Sequence, residues 1–294
     1  MNVSKGRDPN MKTDPKAAVR KQAEELREAV DQKTEVLKKN VGDAVVRGIR
    51  RTRALSFYLV KLGCRLTIFG ILLGFYLYNR PALNEIVNQH FLYHFTALHI
   101  VWGIFMIIMI MHIIPNNRLS MAWRKARENV YREVPGYSEL QLLRFVQIQN
   151  VRAWKVMLAW LSFNAVFGVL YLLDIIKSGD LLMLTVFYFL SDYICILFYC
   201  PFQSILMKNK CCINCRIYDW GHFMMFTPML FIKNFFSWSL FFTSLVVLIH
   251  WEVNYSRHPE RFWEGSNQTL QCAHCKEQTC QIKKKIAGKN MRQV

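Results

Sequence analysis

The sequence predicts an all-α integral membrane protein, a polytopic helical bundle with five membrane segments, a basic N-terminal helical arm and a cysteine-bearing C-terminal tail. Three observations carry that prediction. The 294 residues are 53% hydrophobic and 14% aromatic, too apolar for an ordinary soluble domain. Five runs, Leu55 to Tyr78, Leu92 to Ile114, Val156 to Ile176, Leu181 to Met207 and Phe223 to Trp251, approach the length that crosses about 30 Å of hydrocarbon. The basic residues, which give a net charge of +18, gather in alternate loops.

The arm, residues 1–53, holds 14 Lys and Arg and lacks the apolar core of a secretory signal. Its apolar positions Val19, Ala23, Leu26, Val30, Leu37 and Ala44 recur near every 3.5 residues, the mark of an amphipathic helix. Residues 54–114 carry the first two spans. Lys61 and Arg65, in the first, are expected to snorkel to headgroups. The loop 115–155, with 8 Lys and Arg, reads as a subdomain of two helices, Leu119 to Val134 and Glu139 to Arg152. Pro135-Gly136 turns between them and Ser138 caps the second. Residues 156–207 form a hairpin of spans three and four, joined by Lys177-Ser178-Gly179-Asp180. Positive-inside bias puts the arm, this loop and the basic loop with Lys208, Lys210 and Arg216 in the cytoplasm, and the plasma (inner) membrane is the expected location. The counter-charge to the basic surfaces is anionic lipid headgroup rather than nucleic acid.

The last run is ambiguous. Its 29 residues are too few for two crossings at about 20 each, yet Pro228 and Lys233-Asn234 divide it. Either Phe223 to Ile232 lies along the interface and Phe235 to Trp251 crosses, or the two halves form a re-entrant hairpin. Only the hairpin returns the tail, 252–294, to the side of the cysteine cluster in 208–222.

Those two regions carry the chemistry. Cys211-Cys212-Ile-Asn-Cys215 precedes the last run, and Cys272-Ala-His-Cys275-Lys-Glu-Gln-Thr-Cys280 follows it. Two Cys-x-x-Cys turns present four sulfurs in the arrangement that zinc or an iron–sulfur cluster takes. Cys212, Cys215, Cys272 and Cys275 are therefore candidate ligands, with Cys211 and Cys280 in reserve. A dithiol redox pair is the alternative use of such spacing. Lys276 stands where covalent haem attachment requires histidine, so haem is disfavoured. Arg216, Asp219, His222 and His274 are placed to form a polar collar around a metal.

Within the apolar runs, Asp192 is the deep carboxylate, with Asn164 or a cation as its expected partner. Such a group is a functional candidate by default. His99 and His112 share a helix face but lack the partner histidines that membrane haems need. No phosphate loop, zinc-protease helix, nucleophile elbow or dinucleotide fingerprint occurs. The sequence thus points to a thiolate metal protein at a membrane surface, with electron exchange between a soluble redox partner and quinone as an extension. A membrane scaffold with a structural zinc, or a small transporter using Asp192, are the alternatives.

Overall fold

The computed structural model describes residues 52–88, 96–114, 120–209, 211–275 and 279–286; the N-terminal arm lies outside them. The long helices are α1 (Arg53–Tyr78), α3 (Ala97–Ile113), α5 (Glu139–Leu172), α6 (Ser178–Leu197) and α8 (Phe235–Arg257). Short helices α2 (Arg80–Val87), α4 (Met121–Ala126), α7 (Gly221–Phe226) and α9 (Gln281–Ile286) fill the connections. The described residues contain no strand, only an isolated bridge between Glu133 and Asn267.

Four helices, α1, α5, α6 and α8, are long and apolar enough to cross a membrane. Helix α3, at 17 residues, is shorter than the run Leu92 to Ile114 predicts, because its N-cap is Thr96, which is extended and closes a capping box with His99. The sides of the bundle are apolar and exposed, as at Val60, Ile71 and Leu77 on α1 and Trp154, Leu158 and Val166 on α5. Such a surface is costly in water and neutral in hydrocarbon, consistent with a membrane protein.

Several boundaries differ from the sequence reading. The predicted second helix of the 115–155 loop is no separate element: one 34-residue helix, α5, continues from Glu139 into span three, since nothing between Arg144 and Lys155 breaks it. The predicted first helix shrinks to Met121–Ala126. The turn at Pro135-Gly136 is present, with Gly136 at φ 73°, a left-handed position that favours glycine. Span four stops at Leu197, because Pro201 lacks the amide that would continue the ladder. A π-turn, Phe202–Met207, follows.

The last run resolves as a hairpin whose first arm is broken. Helix α7 passes into a 3-10 turn, Thr227–Phe231, with Pro228 in its first turn. The backbone turns at Ile232 to Asn234, and α8 starts under the Asn234 side chain, which accepts from Ser237 N at 2.8 Å. Phe223, Met225, Phe226, Met229 and Ile232 are all buried, so this arm does not lie along an interface. Irregular backbone at such depth is sustained only inside protein. Here it is walled by α5, α6 and α8. Trp160 Nε1 donates to Thr227 Oγ1 at 3.1 Å, and Gly168 leaves room for the Phe231 ring, which a Cβ would meet at 2.3 Å. Helix α8 then climbs beside the arm, and its last turn reaches the level of Arg216.

Candidate functional site: a thiol-rich cap

The return of α8 brings the tail onto the first cysteine cluster. Arg216 forms an ion pair with Glu252 near the end of α8 and lies 4.4 Å from the Tyr255 ring. Its carbonyl accepts from Trp251 Nε1 at 2.7 Å, and Trp220 Nε1 donates to Glu252 at 2.8 Å. Beyond α8, Asn267 is fully buried and anchors the tail: its amide donates to Arg261 O at 2.8 Å and Lys125 O at 3.3 Å, while its oxygen accepts from Thr269 N. Asn214 donates to Leu270 O at 3.0 Å. Both cysteine clusters therefore stand at one end of the bundle.

The sulfurs sort into two groups. In the outer group, Cys275 lies 3.7 Å from Lys125 Nζ, while Cys211 feels the charges of both Cys280 and Lys125. Burial raises the Cys211 thiol, against backbone amide donation from Ile213 and Asn214. Cys272 and His274 are exposed on a 3-10 turn. In the inner group, Cys212 faces Gln203 Oε1 at 2.6 Å, and Lys283 Nζ from α9 contacts both Gln203 Oε1, at 2.9 Å, and the Cys212 sulfur. Burial pushes the Cys212 thiol up to about 11 against the pull of Lys283, and pushes the Cys215 thiol up to about 12. Cys200, whose sulfur accepts from Gln203 N at 3.4 Å, and Cys195, whose carbonyl lies 3.8 Å from the Cys212 sulfur, join this group. The neighbouring Cys195 thiol, with the Gln203 amide and the Lys283 charge in support, holds the Cys200 thiol below its ordinary value.

The collar residues are dispersed differently from the sequence reading. Asp219 is buried and accepts from Ser120 Oγ at 2.8 Å; desolvation pushes its carboxyl up to about 7, which the Ser120 bond only partly opposes. His222 turns into the bundle, its ring 4.9 Å from that of His112. A cavity of about 320 Å³ opens beside His112 and is lined also by Trp123, Arg127, His250, Asn254 and His258.

Deeper, Asp192 pairs with Arg65 at 2.9 Å. Arg65 does not snorkel: its guanidinium lies 3.9 Å from the Phe189 ring and 3.7 Å from the Tyr193 ring, and it also donates to Phe189 O. A cation over two aromatic faces and beside a carboxylate is better solvated than one stretched toward headgroups. Asn164 serves a neighbouring network instead, donating to Trp160 O at 3.0 Å and accepting from Tyr188 at 3.2 Å. His99 closes a capping box with Thr96 and packs 4.8 Å from the Phe236 ring.

Among the described residues, no three His, Cys, Asp or Glu side chains converge closely enough to hold a metal ion. Lysine ammonium groups stand beside the sulfurs, Lys283 at Cys212 and Lys125 at Cys275. Sequence reasoning misses these lysines, Glu252, Gln203 and the pair Cys195 and Cys200. Glu252 has a signal, as the carboxylate closing the last apolar run; Gln203 and the lysines have none at sequence level. No family model matches the chain, and no curated protein and no solved structure is similar to it.

Proposed function

We propose that this chain is an integral membrane protein whose cap carries a thiolate metal centre, zinc or iron–sulfur, that staples the tail to the bundle. The observation that carries the reading is the tail's return, which brings both cysteine clusters to one end of the bundle, with Asn214 bonded to Leu270 O at 3.0 Å and Cys275 3.7 Å from Lys125 Nζ. Cys211, Cys275 and Cys280, with Cys272 on the adjoining turn, are the favoured ligands. A metal cation would take over the counter-charge that Lys125 supplies. Zinc there would be structural; an iron–sulfur centre would exchange electrons with a soluble partner or a membrane quinone. In this reading the N-terminal arm is cytoplasmic, in the plasma (inner) membrane, with anionic headgroups as its counter-charge.

Metal analysis of anaerobically purified full-length protein tests it. One metal equivalent is expected, lost in Cys211→Ser, Cys275→Ser and Cys280→Ser alike and kept in Cys64→Ser; metal-free protein would overturn the centre. Visible thiolate-to-iron absorption separates iron–sulfur from zinc.

A second reading rests on the cavity beside His112. His112 in its wall packs 4.9 Å from the His222 ring, and a Cβ on the adjoining Gly221 would lie 3.3 Å from the Asp192 carboxylate, an arrangement that suits a small transporter. Ion flux in proteoliposomes, abolished by Asp192→Asn, is the outcome expected of that reading. The Arg65 ion pair favours a structural carboxylate, and unchanged stability with no flux would dispose of transport.

A further inference from the structure

The cavity beside His112 is walled largely by hydrogen-bond donors. Arg127 and Arg261 bring fixed positive charge, His112, His250 and His258 bring imidazoles, and Glu128 is the one carboxylate among the described lining residues. Glu128 is exposed to solvent and stands 3.6 Å from Arg261, and Glu260, outside the lining, stands at the same distance. At that separation both carboxylates compensate the Arg261 charge without closing a hydrogen bond, so its N–H groups can still take an acceptor. Trp123 Nε1, a further donor of the wall residues, is buried with no partner among the described residues. This donor excess calls for a ligand that accepts hydrogen bonds and is negative.

Its place in the fold narrows the ligand further. The cavity lies where α3 and α8, packed side by side, come to an end, and α4 and the 3-10 turn Pro259–Phe262 close it. Ile107, Ile110 and Ile114 recur at helical spacing along one exposed face of α3, and Ile114 lines the cavity. On α8, Val246, Ile249 and Val253 are exposed beside the cavity residues His250 and Asn254. Apolar strips that run up to a positive pocket suit an amphiphile with an anionic end. The volume of about 320 Å³ matches the smaller ligand pockets, roughly 300 Å³ upward. A bare carboxylate would fill little of it, since one water takes about 30 Å³. Tyr58, near the start of α1, meets Tyr218 of the cap at 3.1 Å, so this is the end at which α1 begins. In the topology proposed above it faces the cytoplasm, the leaflet in which anionic phospholipids gather.

We propose that this cavity binds the headgroup of an anionic phospholipid, its phosphate held by Arg127 and Arg261 and its acyl chains laid on the apolar strips of α3 and α8. Guanidinium forks pair with phosphate oxygens two at a time, which gives orientation as well as strength. The inference rests on the reading of the chain as a membrane protein and not on the metal centre, which uses other residues.

The test is native mass spectrometry of full-length protein released from detergent, with one lipid titrated at a time. Dioleoyl phosphatidylglycerol is expected to bind as one tight equivalent, about tenfold more tightly than zwitterionic dioleoyl phosphatidylcholine. Arg127→Gln and Arg261→Gln should each remove most of that preference, and Arg80→Gln, at the other end of the bundle, none of it. Because Arg261→Gln also breaks two ion pairs, a photoactivatable phosphatidylglycerol is applied to the wild type, with crosslinks expected in residues 107–114 and 246–262. Equal binding of the two lipids, or crosslinks scattered over the other helices, would overturn the site. Glycerol phosphate or oleate competing as well as the phospholipid would assign the cavity to a soluble phosphate or a fatty acid instead, and overturn the proposal. Extraction of native membranes with alkaline carbonate keeps the two levels apart. Protein released by it would overturn the membrane reading itself, whereas protein that stays in the membrane but shows no lipid preference overturns the site alone.

Discussion

The two ends of the bundle solve the same problem with different chemistry. At one end the connections close with neutral groups and one surface ion pair: Asn84 Oδ1 accepts from Gly179 N at 2.7 Å, Asn88 donates to Ser178 at 2.9 Å, Asn234 donates to Val87 O at 2.5 Å, and Arg80 pairs with Asp180 at 2.5 Å. At the capped end Lys125 and Lys283 are buried, each with a sulfur in contact, and Arg216 is nearly so. Burying a cation costs several kcal/mol even after relaxation. The first end shows that closing helices does not require that cost. Each of these lysines is set against a thiol, an arrangement the first end lacks, and this asymmetry is the reason the proposal above places its chemistry at the cap.

The largest effect should come from breaking the cap's central ion pair. Arg216→Met leaves Glu252 half-buried without its guanidinium and also removes the contact with the Tyr255 ring. A loss of about 3 kcal/mol is expected, read as a lowered unfolding midpoint in detergent together with faster proteolysis of the tail. A loss no greater than that of a surface pair would mean the capped end is no more strongly built than the other.

Next is the tail's anchor. Asn267→Ala removes bonds to Lys125 O, Arg261 O and Thr269 N from a fully buried site. About 2 kcal/mol should be lost, and hydrogen exchange should rise in residues 259–286 while α1, α5 and α6 stay protected. A rise spread evenly over the bundle would show that the cap is not a separable unit.

What is legible in the sequence follows from what each feature depends on. The spans are readable because apolar length is a local property, as in the run that forms α1. The cysteine clusters are readable because their spacing is local too. Arg65 reads as a snorkelling residue because its aromatic partners, Phe189 and Tyr193, lie more than a hundred residues away in the chain. The hairpin of the last run is easily underestimated, because hydropathy counts a crossing in α-helical residues alone. A broken arm, α7 with Thr227–Phe231, is shorter than a span and survives only because other helices cover it, which hydropathy does not encode. Lys283 carries an obvious charge in the sequence, but nothing local says where α9 will place it.

A pH series sharpens the comparison at smaller amplitude. The Asp219 carboxyl is pushed up to about 7 in the fold, from an ordinary value of 3.8, so the folded chain holds that proton more tightly than the unfolded chain. Its contribution is therefore full below pH 3.8, is lost as the pH rises toward about 7, and is absent above it. Asp219→Asn should flatten the fall in unfolding midpoint across that window and leave the protein no less stable at pH 8. An unchanged slope in the variant would assign the pH dependence to other groups.

The smallest effect is expected at the opposite end, and it completes the contrast. Arg80 is half-exposed, while Asp180 keeps its bonds from Tyr76 and from Lys177 N without it. Exposed pairs are worth little because water and salt already screen both charges, and the long arginine side chain is ordered to make the contact. Arg80→Ala should therefore cost about 0.5 kcal/mol, diminish further in high salt, and leave thiol reactivity at the cap unchanged. If Arg80→Ala were instead as damaging as Arg216→Met, the two ends would be equally dependent on charge. The asymmetry that locates the chemistry at the cap would then disappear.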